Sequence, residues 1–198
     1  MAERVLTLAE CADPALAESG ICPLPIAGAF LFPLRAITVP GGDVLHMLRP
    51  SFPLQPGLEA GAAGGDRLTL GELYFSEVLP GNVKAWKRHA RQTQHFCVPS
   101  GRLGIVLYDA RPDSSSKGIV QPLVLGRGEQ ACYGLLRIPC GVWYGFTAVG
   151  DGPALIGNAP DLPHDPAEGE KIPFDSNEGR VFPFDWTRPF PNPFASRS

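Results

Sequence analysis

From residue 67 onward the chain is cut, about every dozen residues, by a turn signal. The segments RLTLGELYFSEV (67–78), NVKAWKRHA (82–90), QHFCV (94–98), GRLGIVLYDAR (101–111), GIVQPLVL (118–125), ACYGLLRIP (131–139) and PALIGNAP (153–160) are short and apolar. Between them stand PG, PSG, PDSSSKG, GRGEQ, PCG and VGDGP. A regular helix needs a longer uninterrupted amphipathic run than any of these allow, whereas closely spaced short strands make a sandwich or a closed barrel. The 23 glycines and 22 prolines supply the punctuation, since both residues break helices and mark turns. An all-β chain is expected.

The rest of the chain is less regular. Val5, Leu6, Leu8 and Leu16 fall loosely on one helical face, predicting one short N-terminal helix within 4–19 that Asp13-Pro14 cuts. Two extended segments follow, FLFPLRAITV and DVLHMLR, on either side of the turn PGG. Residues 53–66, PLQPGLEAGAAGGD, offer little to pack and read as a loop, an insertion or a lid. The terminal stretch RVFPFDWTRPFPNPFASRS combines aromatics that need burial with prolines that forbid a helix. It is expected either to reach onto a partner subunit or to be disordered. The expected organisation is therefore residues 1–66 as helix, edge strands and loop, 67–186 as the barrel, and 187–198 as an extended tail.

A net charge of −3 with an ordinary charged fraction points to neither nucleic acid nor a membrane surface as partner. Any cationic site must be local. The apolar run IAGAFLFPLRAITV is broken by Pro33 and Arg35, well short of a bilayer span. Five cysteines without a C-x-x-C pair suit reduced thiols better than a disulfide framework or a zinc site. With no apolar leader in the first twenty residues, a cytoplasmic location is expected.

One stretch concentrates chemistry: GNVKAWKRHARQTQHFCVPSG, residues 81–101. On a regular strand Lys87, His89 and Arg91 share one face, and Lys84, Trp86 and Arg88 the other. A bulge is required if Lys84 and Lys87 are to face one ligand.

This stretch resembles the cupin pattern, in which a glycine is followed after five residues by H-x-H, then a glutamate and a closing glycine. Here Gly81 precedes Lys87-x-His89, Gln94 and Gly101, and a second element, P-x-G-x-x-H, corresponds to Pro139-Cys140-Gly141-Val142-Trp143-Tyr144. The resemblance implies a double-stranded β-helix (jelly-roll) barrel. Three of the four positions that hold a metal in cupins carry Lys87, Gln94 and Tyr144. An ammonium has no free lone pair, an amide is neutral, and a phenol is a poor ligand at neutral pH, so no metal and no cofactor are expected. A metal-dependent dioxygenase or isomerase is the minor alternative.

Within that superfamily the chain is similar to the dTDP-4-dehydrorhamnose 3,5-epimerase family. The family's G-V-x-R-G-L-H corresponds to GNVKAWK, its D-x-R-x-x-S-x-x-x-G to Asp109-Ala110-Arg111 through Ser114 and Gly118, and its I-P-x-G-x-x-H-G-F to IPCGVWYGF. PHDPAEGEKIPFD resembles a loop near the end of the barrel, so the likeness covers residues 67–186. The resemblance places Lys84 at the arginine that contacts the nucleotide-sugar and Lys87 at the catalytic histidine. The family's catalytic tyrosine falls near Gly157. Epimerisation beside a ketone needs a base whose pKa is near working pH; Lys87 meets that only if burial or the neighbouring cations lower its pKa.

The candidate catalytic set is thus Lys87, His89 and Tyr144, with Lys84, Gln94, Arg111, Trp143 and Asn158 as candidate substrate contacts. Each has a plain structural alternative: a solvated cation for Lys87, a hydrogen-bonded barrel histidine for His89, core aromatics for Trp143 and Tyr144, a turn ion pair for Asp109 and Arg111. His46, His95 and His164 are read as packing or capping residues. The implied function is an epimerase or isomerase of a (d)TDP-4-keto-deoxy sugar in sugar-nucleotide or polysaccharide biosynthesis, with a homodimer implied by relatives. The alternative is a non-catalytic nucleotide-sugar-binding cupin that has lost the histidine base and the tyrosine acid.

Overall fold

The computed structural model describes residues 4–49 and 69–191. The Gly/Ala-rich loop at 53–66 and the last seven residues of the tail lie outside the described residues. Among the described residues fourteen strands carry the fold: β1 (Arg4–Val5), β2 (Gly20–Pro23), β3 (Phe30–Pro33), β4 (Ala36–Ile37), β5 (Val44–Leu45), β6 (Tyr74–Val78), β7 (Val83–His89), β8 (Gln94–Ser100), β9 (Arg102–Tyr108), β10 (Val120–Gly126), β11 (Gly134–Ile138), β12 (Trp143–Ala148), β13 (Ala154–Asn158) and β14 (Gly169–Lys171). Of the eight strands from β6 to β13, seven fall on the segments expected from the sequence, and β12 lies between two of them.

Two sheets face each other. One has seven strands in the order β1-β2-β3-β11-β8-β13-β6, the other five in the order β10-β9-β12-β7-β14, and β4 and β5 form a separate ribbon. The N-terminal strands β1 to β3 occupy one edge of the larger sheet. The expected N-terminal helix does not form. In its place stand β1 and two single 3₁₀ turns, Glu10–Ala12 and Pro14–Leu16. Asp13 ends the first turn in an extended conformation and its side chain caps the second, accepting from the N–H of Ala15. A residue before proline is held out of the helical region, so one continuous helix is impossible there.

Strand alternation sorts the side chains into three clusters. The main core lies between the sheets, where Leu31, Phe96, Val98, Leu136 and Ile156 meet Leu103, Ile105, Leu107, Tyr144 and Phe146. Behind the seven-stranded sheet Ile21, Phe30, Phe32, Leu34, Cys97 and Leu135 form a second cluster. Behind the five-stranded sheet Trp86, Val106 and Trp143 are covered by Phe174, Phe182, Phe184, Trp186 and Phe190. The aromatic C-terminal segment therefore folds back onto its own chain, neither reaching outward nor staying loose up to residue 191. Phe182 stacks on Trp86 at 4.6 Å between ring centroids and meets Trp143 edge-on at 5.1 Å. The motif glycines Gly81, Gly101 and Gly141 all have φ between +74° and +79°, a region that other residues enter only with strain. They hold the turns that lead into β7, β9 and β12.

Candidate active site

The side chains that carry chemistry are polar exceptions on the inward faces. β7 pairs with β12 in a broken register: Lys87 lies opposite Tyr144, yet Lys84 lies opposite Phe146. Three steps along β7 against two along β12 is the β-bulge that strand parity demanded. It turns Lys84 and Lys87 to the same, inward face as Tyr144 and Phe146. Trp86, between them, points out into the aromatic cluster and is 1% exposed. Arg88 also points out, with its guanidinium 4.8 Å from the Trp143 ring.

Lys87 is half-buried, and its Nζ lies 5.4 Å from the Phe146 ring centroid. Opposite it on the other side of β7 stands Lys171 of β14. The chain has four lysines, at 84, 87, 117 and 171, and three of them converge here. Burial first, then the charges of Lys171 and Lys84, lower the Lys87 pKa from its ordinary 10.5. Lys84 donates from Nζ to the backbone oxygen of Glu77 on β6 at 2.6 Å, tying the edge of one sheet to the other.

His89 lies two residues beyond Lys87 on the same face. Its Nδ1 is 2.7 Å from Glu168 Oε2 and its Nε2 is 3.1 Å from the Tyr144 hydroxyl. Glu168 is held by more than the histidine, because its other oxygen accepts from the backbone N–H groups of Arg91 at 2.5 Å and Gln92 at 2.6 Å. Burial alone would raise this carboxyl, but the N–H groups of Gln92 and Arg91 and the His89 ring outweigh it and lower the pKa from 4.5. An ionised carboxylate can only accept, so Nδ1 carries the hydrogen and Nε2 is left to accept from Tyr144. Burial, with the charges of Tyr74 and Glu168, pushes the Tyr144 phenol far above its ordinary value. Tyr144 is 3% exposed and packs edge-on against Phe96 at 5.6 Å.

A second polar chain enters from the seven-stranded sheet. Gln92 donates from Nε2 to the carbonyl oxygens of Leu162 and Pro163, Gln94 donates to Gln92 Oε1 at 3.0 Å, and Asn158 donates to Gln94 Oε1 at 2.6 Å and to the Tyr74 hydroxyl at 2.8 Å. Asn158 Oδ1 is buried with no partner among the described residues. On β13 it is Asn158 that faces inward. Gly157 points out, where an added Cβ would come within 2.9 Å of Met47 Sδ.

The structure thus brings Lys84, Lys87, His89, Gln94, Tyr144 and Asn158 to the inward faces at one side of the fold. Two expected contacts are not among them. Trp143 precedes Tyr144 on an extended strand and so points to the opposite face, where it is buried under the C-terminal segment. Arg111 is engaged elsewhere: it donates to Asp109 from both Nε and Nη2 and to the carbonyl oxygen of Ala27. Burial would raise Asp109, but Arg111, Ser114 and Ser116 hold it well below the usual carboxylate range. This is a turn staple. Glu168, Lys171, Gln92 and Tyr74 were not singled out from the sequence. Glu168 and Lys171 reach the site through the pairing of β14 with β7, Tyr74 through that of β6 with β13, and Gln92 from the turn between β7 and β8.

The remaining histidines near the fold are structural: His95 bonds to the carbonyl oxygen of Ala159 at 2.9 Å, and His46 to Glu18 at 2.9 Å. Among the described residues no group of three or more His, Cys, Asp and Glu is arranged to hold a metal ion. Nor is any helix among them long and apolar enough to cross a membrane.

No family profile matches the chain. Solved structures and curated proteins do. A dTDP sugar isomerase from Desulfovibrio desulfuricans G20 is 47% identical and superposes with a TM-score of 0.71 over 83% of this chain and 94% of that one. A "probable low-salt glycan biosynthesis epimerase" from Haloferax volcanii is 41% identical over 93 residues, 46% of this chain. A spore coat polysaccharide biosynthesis protein from Bacillus subtilis is 35% identical over 86 residues, 43% of this chain. The chain spans 58% and 55% of the length of these two curated relatives. A strand-rich, cupin-like fold with inward polar groups and near-complete coverage of the Desulfovibrio structure leads to one family: the protein belongs to the dTDP-sugar isomerases.

Proposed function

We propose that the protein is an epimerase or isomerase of a (d)TDP-4-keto-deoxy sugar, in which Lys87 removes a proton from the carbon beside the ketone. The single observation that carries this is the convergence of Lys84, Lys87 and Lys171, with Lys87 half-buried and its pKa lowered by burial and by the other two charges. A cationic cluster draws in a nucleoside diphosphate, and an amine whose pKa is lowered gives up its own proton more readily, the direction a general base needs. The barrel is read as the double-stranded β-helix, with strands of both sheets contributing to one interior. His89, fixed by Glu168 with its Nε2 toward Tyr144, acts as the positioning group at the far end of the Lys87 face. Gln94 and Asn158 offer amides to sugar hydroxyls. A cytoplasmic location fits the reading, since all five cysteines are free thiols, and the homodimer remains what the resemblance implies.

A second reading, binding without turnover, has one observation in its favour: the Tyr144 hydroxyl is buried and engaged with His89, so it is a poor acid. Incubation with dTDP-4-keto-6-deoxyglucose in deuterated water separates the two. The enzyme reading predicts deuterium at C3 or C5, lost in Lys87→Ala. Binding of dTDP-sugars with no exchange would establish the second reading instead.

A further inference from the structure

Inverting a carbon beside a ketone requires a base on one face and an acid on the other. Lys87 supplies a base from the five-stranded sheet. We propose that Tyr74, on β6 of the seven-stranded sheet, is the acid that returns a proton to the opposite face. This rests on the epimerase reading above.

Hydrogen-bond polarity orients the Tyr74 hydroxyl. The Leu162 and Pro163 carbonyl oxygens can only accept, so the Gln92 amide is fixed with Nε2 toward them and Oε1 outward. Gln94 must then donate to Gln92, which leaves its own Oε1 to accept from Asn158. Asn158 therefore presents Nδ2, not Oδ1, to Tyr74. The Tyr74 oxygen accepts, and its hydrogen is left with no acceptor among the described residues. Two backbone carbonyls thus set the direction of a proton four side chains away.

Placement supports the role. Tyr74 pairs with Asn158 across β6 and β13, and Val78, further along the same face of β6, is in the core between the sheets. Its side chain accordingly starts on the inward face, while the residue as a whole is 42% exposed, at the rim. Its field reaches Tyr144, the partner of Lys87 across β7 and β12. Burial keeps the phenol protonated, with the Asn158 hydrogen bond acting the other way.

The step balances within the site. The Lys87 lone pair takes the proton as the C–H bond breaks, and that electron pair moves onto the carbonyl oxygen to give an enolate. The enolate carbon then takes the Tyr74 hydroxyl proton on its other face, and the O–H electron pair stays on a phenolate that accepts from Asn158 Nδ2. Solvent carries one proton from the Lys87 ammonium to the phenolate to reset the pair.

The test is the stereochemical outcome of Tyr74→Phe, which removes one rim oxygen, with dTDP-4-keto-6-deoxyglucose in deuterated water. Wild type should incorporate deuterium with inversion. Tyr74→Phe should still exchange, with deuterium returned to the original face, while inversion falls by about 100-fold or more. Inversion at the wild-type rate in Tyr74→Phe overturns the assignment, as does joint loss of exchange and inversion. Absence of exchange in wild type is a different failure, that of the epimerase reading itself.

Discussion

Glu168→Ala should be among the most damaging single changes that leave the core intact. The carboxylate is 2% exposed at its side chain and accepts from three groups: the Arg91 N–H, the Gln92 N–H and His89 Nδ1. Alanine leaves three donors facing a small void. A buried donor without a partner costs about 1–3 kcal/mol. With water rescuing the more exposed His89, the sum is about 3 kcal/mol. For a domain of this length that corresponds to a fall of roughly 6–12 °C in Tm, at about 2–4 °C per kcal/mol. Chemical denaturation at neutral pH reads the free energy and calorimetry the Tm. The same carboxylate has an acid signature: its folded pKa is below 4.5, so its contribution is complete above that value and is lost as pH falls through the lower, folded one. Wild type should lose stability in that window and the variant should not. A loss below about 1 kcal/mol, or an identical acid limb in the variant, would show that Glu168 does not anchor this turn.

Two further outcomes follow from the same geometry. Lys87→Met should abolish exchange yet leave Tm unchanged or higher, because a lysine with a lowered pKa destabilises the fold below its ordinary 10.5; activity assays and calorimetry on one preparation check both. Gly145→Ala would place a Cβ 2.3 Å from that of Ala85 and 2.8 Å from Trp186 Cζ2; it should cost about 1–3 kcal/mol and loosen the C-terminal segment, seen as faster proteolysis beyond Phe174.

Much of the strand succession was legible because short strands advertise themselves by alternation and by glycine turns. The bulge on β7 was legible too: two family positions three apart can share a face only if a residue is inserted. Trp143 shows where parity was set aside, since adjacent residues on a strand cannot both face inward. The N-terminal apolar spacing suggested a helix, but Asp13-Pro14 left room only for two 3₁₀ turns. Glu168, Lys171 and Tyr74 were hidden for another reason. Each is unremarkable in its own segment and gains meaning only from pairing with residues far along the chain, which no local pattern encodes. The tail was ambiguous because its aromatics demand burial without saying on what surface, and Trp86 and Trp143, which receive them, lie far away along the chain.

The central claim is that an amine inside the barrel is poised to take a proton. Its most direct measurement is the titration of Lys87 itself, by NMR of its side-chain Cε resonance assigned by comparison with Lys87→Met. The account predicts a midpoint below 10.5, coinciding with the acid limb of kcat/KM. A midpoint at or above 10.5 would contradict it.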